Sequence, residues 1–137
     1  MADVTVHGRR RPVPDALVRR AVEAVLAGER QGARVSVTFL GRDTMRRLNR
    51  EHRGHDRPTD VISFGLAAPD GPVGDVYVCA WVAAREARSR GIPLREEIIR
   101  LVVHGVLHVL GWDHPEAEGR TGSPMWRRQE RYVGRVA

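Results

Sequence analysis

The chain has 137 residues, of which 42% are hydrophobic and 29% charged, values that exclude a disordered or fibrous protein and fit one globular domain over residues 1–137. A single cysteine, Cys79, excludes an intrachain disulfide and a cysteine-rich zinc site. No apolar run reaches bilayer length, and residues 1–11 lack a signal-peptide core, so no membrane association and a cytoplasmic location are expected.

The net charge is +6, and all 23 basic residues are arginine. That choice has two readings: a coding bias, or the use of the planar guanidinium fork against phosphate. A basic balance fits an acidic partner such as RNA without naming it.

In chain order, residues 4–6 form a short apolar stretch that suits a first strand. After Pro14 and Asp15, Leu17, Val18, Ala21, Val22, Val25 and Leu26 recur at helical spacing, with Gly28 expected as the C-cap. Residues 34–40 alternate with a period of two and are rich in β-branched side chains, which predicts a second strand. Asp43 is expected to cap a short helix through Leu48, and residues 51–58 to form a polar loop punctuated by glycine and proline. Residues 61–64 and 75–79 read as two further strands. A helix over 81–90 should close at Gly91, and a longer one from Pro93 to about Leu110 should end at Gly111. Ser123 followed by Pro124 predicts an N-cap and first turn of a last helix through Val133. The order βαβαββααα implies an α+β fold: a small mixed sheet of about four strands packed with about five helices, one of them a zincin-like metal helix.

That metal helix is predicted from the string HGVLHVLGWDH at residues 104–114. Residues four apart on a helix lie about 40° apart around the axis and roughly 6 Å along it, so His104 and His108 can reach one ion. Gly111 supplies the backbone freedom that turns the chain and allows His114 to return over the metal. Three neutral imidazoles leave a tetrahedral Zn²⁺ one open position, as in catalytic rather than structural sites. Burying three histidines without a metal would leave several ring nitrogens to be satisfied otherwise. The spacing matches the zinc-protease pattern H-E-x-x-H-x-x-G-x-x-H, except that the general-base glutamate is replaced by Gly105.

The same string is similar to the signature of the YbeY family of metal-dependent endoribonucleases, which act in ribosomal RNA maturation. A second block resembles that family's other signature: Leu48-Asn49, then Arg53-Gly54, then Pro58-Thr59-Asp60-Val61-Ile62-Ser63-Phe64. A third, Gly74-Asp75-Val76, resembles its short Gly-Asp strand, and Met125 with Glu130 extends the likeness. One departure is Gly65, where the family usually has proline after the phenylalanine. The resemblance implies that His104, His108 and His114 are zinc ligands, with other divalent transition metals as substitutes. It implies that Arg53 is a catalytic arginine near the metal. It also implies a single-stranded RNA substrate at the 16S rRNA 3′ end, a part in ribosome quality control, and ribosomal particles or proteins as partners.

Several residues keep two roles open. Asp60 and Asp75 can orient a histidine or act as base, or merely cap an element. Asp113 can support a ligand or satisfy its own turn. Trp112 can wall the site or stack a base, while Trp81 is expected in the core and Trp126 as an anchor of the last helix. His52 and His55 are expected to be exposed and not ligands. Two further functional classes stand beside the hydrolase: a zinc-containing assembly factor that binds RNA without cutting it, and a zincin-like peptidase.

Overall fold

The structure, a computed structural model, describes residues 2–113 and 122–137. The elements are β1 (Ala2–His7), α1 (Asp15–Glu29), β2 (Ala33–Leu40), α2 (Arg42–Arg53), β3 (Val61–Leu66), β4 (Val73–Cys79), α3 (Ala80–Arg90), α4 (Leu94–Val109) and α5 (Pro124–Val136). The order βαβαββααα is the expected one, and the fold is α+β. The sheet runs β1-β2-β4-β3. β1 and β4 lie parallel to β2, with Val4 opposite Val35 and Val37 opposite Val76, and β3 pairs antiparallel to β4.

Period-two alternation sends Val35, Val37 and Phe39 of β2, with Val76 and Val78 of β4, to one face of the sheet. Against that face pack the apolar stripe of α1 and the nearly all-apolar α4. Each fully buried aliphatic side chain contributes roughly 1.5–3 kcal/mol, so this layer dominates the stability. On the opposite face a smaller cluster of Met45, Ile62, Cys79 and Val82 holds α2 and α3. α4 touches β3, β4, α1, α3 and α5, which makes it the central element.

Two close approaches set the depth of α4 against the sheet. A Cβ on Gly105 would lie 2.5 Å from Val76 Cγ1, and one on Gly74 would lie 2.4 Å from both Val109 methyls. Glycine at 105 is therefore a packing requirement, and position 105 faces the sheet.

Four expectations need correction. Gly28 is not the cap of α1: the helix runs through Glu29 and ends with Arg30 in the left-handed region, at φ 56°. Gly28 instead makes room for Tyr132, whose hydroxyl would sit 2.3 Å from an added Cβ. α2 extends beyond Leu48 to Arg53, because the stop signal is Gly54 at φ 74°, so residues 51–53 are helical rather than loop. Its N-cap is Gly41, and Asp43 lies within the first turn. Trp81 is not in the core; it is 43% exposed, with the guanidinium groups of Arg42 and Arg85 at 5.0 and 4.9 Å from its ring.

Replacing Gly105 by alanine tests the close approach. Alanine gains about 1 kcal/mol in helix propensity, whereas overpacking a stiff valine costs about 1–3 kcal/mol. Gly105→Ala is expected to lower the urea-unfolding free energy, and Val76→Ala in the same chain to recover part of the loss.

Candidate metal centre

Between Leu101 and Val109 every residue of α4 is buried except His104 and His108, which are half-buried. The sheet takes position 105, so these two side chains, one turn apart, look away from it together. Their Nε2 atoms lie 3.1 Å apart, with ring centroids 4.6 Å apart and planes at 76°.

His104 is oriented from behind. Its Nδ1 lies 2.7 Å from Gln129 Oε1 on α5. An amide oxygen only accepts, so Nδ1 carries the proton, and in the neutral ring Nε2 then keeps its lone pair. Gln129 is itself held the right way round, because its Nε2 donates to Glu130 Oε2 at 3.0 Å. Arg100 grips Glu130 with both arms, at 2.9 and 2.8 Å, and reaches Glu96 at 3.1 Å. Burial alone would raise the Glu130 pKa, but the Arg100 and Gln129 hydrogen bonds outweigh it and hold the carboxyl below its usual range. The hydrogen bond to Glu130 in turn raises the Arg100 pKa. Glu97, 1% exposed, accepts from Arg90, yet burial leaves its pKa raised.

The donor geometry suits a metal. Two nitrogens bound at about 2.0–2.1 Å to one tetrahedral ion lie roughly 3.3–3.4 Å apart, so the pair needs to open by only a few tenths of an ångström. The Nδ1–H donated to a carbonyl-type oxygen is the usual support of a metal-ligating histidine. His114, the third predicted ligand, lies in 114–121, outside the described residues.

The chain leading towards His114 is tied down. Gly111, at φ 100°, follows the end of α4. Trp112 Nε1–H donates to Glu29 Oε1 at 2.8 Å, and its ring carries the Arg128 guanidinium at 4.5 Å. The other Glu29 oxygen accepts from Arg128 at 2.8 Å and from the Tyr132 hydroxyl. Burial would raise the Glu29 pKa; the hydrogen bonds from Tyr132, Arg128 and Trp112 together lower it. Trp112 is thus half-buried and anchored, which favours its role as a wall. Gln129 and Glu29 are contributions that residue-type reasoning missed, since neither stands in the histidine string.

Arg53 is exposed in the last turn of α2. The loop after it is pinned. Asn49, buried, donates to Arg57 O at 2.7 Å, and Asp56 takes a two-armed contact from Arg46 at 2.9 and 3.0 Å. The Arg46 hydrogen bond lowers the Asp56 pKa. Among the described residues Arg53 forms no ion pair, whereas Arg46 and Arg50 both face Asp56. Asp60 lines a cavity together with His104, while Asp75 is exposed on the sheet face away from α4 and cannot serve the histidines. His52 and His55 are exposed, as expected.

The class defined here is an α+β domain whose central helix turns two histidines towards a common point. The model of the family described as Endoribonuclease YbeY matches residues 7–137. Endoribonuclease YbeY of Alkalilimnicola ehrlichii is 45% identical over 113 residues, covering 77% of this chain and 68% of its own. That of Chlorobium luteolum is 37% identical over 125 residues, covering 90% of each. The solution structure of a Thermotoga maritima protein has a TM-score of 0.69 at 29% identity, covering 97% of this chain and 88% of that one. The chain belongs to the YbeY family.

The Glu29 anchor generates a pH-dependent expectation. Its folded pKa is depressed below the ordinary 4.5. The stabilisation is therefore complete above that value and is lost as the pH falls through it towards the folded pKa. Glu29→Gln is expected to cost about 1–3 kcal/mol at pH 7, with the deficit shrinking below about pH 4.5. Urea unfolding across that range checks it.

Proposed function

We propose that this chain is an endoribonuclease that cuts single-stranded RNA in ribosomal RNA maturation, at the 16S rRNA 3′ end, and in ribosome quality control. In this reading it uses one zinc ion held by His104, His108 and His114. The observation that carries the reading is the pair of Nε2 atoms 3.1 Å apart, one locked as acceptor by Gln129. The name of the matching family supports RNA as substrate. His114 enters through its place in the histidine string. Ribosomal RNA precursors and ribosomal particles are the partners, and the cytoplasm is the location. Among the described residues no helix is long and apolar enough to cross a membrane.

Zinc, when bound, supplies Lewis-acid polarisation and lowers the pKa of water to about 7. The chain's own part is positional and electrostatic. His104 and His108 would hold the ion as neutral imidazoles, and the His104 ring is oriented by Gln129 with the Arg100–Glu130 pair behind it. Arg53, exposed and free of ion pairs among the described residues, contacts the scissile phosphate and neutralises charge developing on its oxygens. A peptidase role is disfavoured because position 105, where zinc proteases carry their glutamate, is turned against Val76.

Two variants test the assignment on a ribosomal RNA precursor, with bound metal measured alongside. His104→Ala is expected to lose zinc and cleavage together. Arg53→Ala is expected to keep zinc and lower kcat by about 100-fold to 1000-fold. Undiminished cleavage by His104→Ala would sink the metal reading. A zinc-loaded wild type that binds ribosomal particles but cuts no RNA would establish the assembly-factor reading instead.

A further inference from the structure

Between the start of β3, the middle of α4 and the first turn of α5 lies an open cavity of about 170 Å³. His104 forms part of its wall, so the cavity adjoins the histidine pair. Asp60, Arg90, Arg100, Leu101 and Trp126 line much of the rest. Its size sets the first limit. A cavity of about 150 Å³ takes up one benzene ring, so this one suits a single monocyclic ring.

Charge sets the second limit. Both guanidinium groups are committed, Arg90 to Glu97 and Arg100 to Glu130 and Glu96. A phosphate entering here would meet the Asp60 and Glu97 carboxylates with no spare cation among the lining residues. A neutral ring is what fits, with the half-buried Trp126 as a face to stack on. Asp60 then decides between rings. Its Oδ1 accepts from Val61 N–H at 2.8 Å and from the Thr59 hydroxyl at 3.4 Å. Among the described residues Oδ2 has no such partner, and an ionised carboxylate can only accept. Cytosine offers the exocyclic N4 amino group as donor at the end of its edge, whereas uracil's one donor there, N3–H, is flanked by the O2 and O4 acceptors, which a carboxylate repels.

We propose that this cavity is a subsite for one cytosine of the RNA strand, stacked on Trp126 and selected by Asp60 beside the phosphodiester at the histidine pair. The subsite rests on the endoribonuclease reading for its place next to the cut, but its base preference can be measured without cleavage.

The test uses cytidine and uridine, which lack phosphate, titrated into the full chain and followed by NMR chemical shifts. The wild type is expected to bind cytidine about tenfold more tightly than uridine. In Asp60→Asn the amide oxygen can keep the Val61 N–H, while the amide nitrogen now offers a donor, so the preference is expected to pass to uridine. Trp126→Ala is expected to weaken both nucleosides by about tenfold. Equal binding of the two nucleosides, no binding of either, or an unchanged order in Asp60→Asn would overturn the subsite. A purely structural role for Asp60 would weaken binding or folding without reversing the order. Mapping cuts on random-sequence RNA separates the two claims: cleavage without cytosine enrichment removes the subsite and leaves the nuclease. Cytidine selection by a protein that cuts nothing keeps the base pocket and removes the nuclease.

Discussion

The seating of α4 on the sheet is the constraint from which the site follows. Gly105 lets Val76 press against the helix backbone, and Gly74 receives the Val109 methyls. With position 105 turned into the core, the helical period of about 100° per residue puts positions 104 and 108 on another side, and both are half-buried there. A larger side chain at 105 would lift or rotate the helix and carry the two imidazoles with it. The same packing that stabilises the domain thus aims its chemistry.

Aim alone does not fix a histidine's protonation. An imidazole on an apolar helix can present either ring nitrogen, and only a partner at the far side settles which. Here that partner is an amide whose own orientation is settled by a carboxylate, which is settled by a two-armed arginine with a 13% exposed side chain. Each link is a donor meeting an acceptor that cannot reverse, so the direction propagates from Arg100 to the His104 ring. Replacing Gln129 by glutamate would keep an acceptor for Nδ1 but add a negative charge beside Glu130, loosening the chain at its middle.

Much of the fold was legible because its signals are local. The alternation in residues 34–40, the helical spacing of Leu17 to Leu26 and the Ser123-Pro124 start each name an element from adjacent residues. Ser123 accepts from Trp126 N–H at 3.1 Å, as an N-cap should. The errors arose where a residue's reason lay elsewhere in the chain. Gly28 reads as a helix stop until Tyr132, over a hundred positions on, is seen to need its space. Trp81 reads as core because it is large and helical, yet it stays exposed with two arginines packed against its ring. In the site, His104 and His108 were visible from one helix's period, whereas Gln129 and Glu29 were not. Both act across helices, and a lone glutamine or glutamate carries no spacing that announces such a role.

The arginines show the same division between composition and placement. A surplus of +6 suggests a broad phosphate-binding face. In the fold, however, Arg19 and Arg20 donate to the carbonyls of Val4 and Val136, Arg46 is held by Asp56, and Arg128 by Glu29. In the pairs Arg19-Arg20, Arg46-Arg47 and Arg127-Arg128, one or both members are therefore occupied with joining parts of the fold rather than with a ligand. The arginine fork suits this work, because it can satisfy a carbonyl or a carboxylate while its stem covers apolar surface. Attraction for any anionic partner then depends on the arginines left over, and Arg53, at the end of a helix and beside a pinned loop, is without an ion pair among the described residues. The loop beside it is ordered by Asn49 and Asp56, so a contact made there costs little additional ordering.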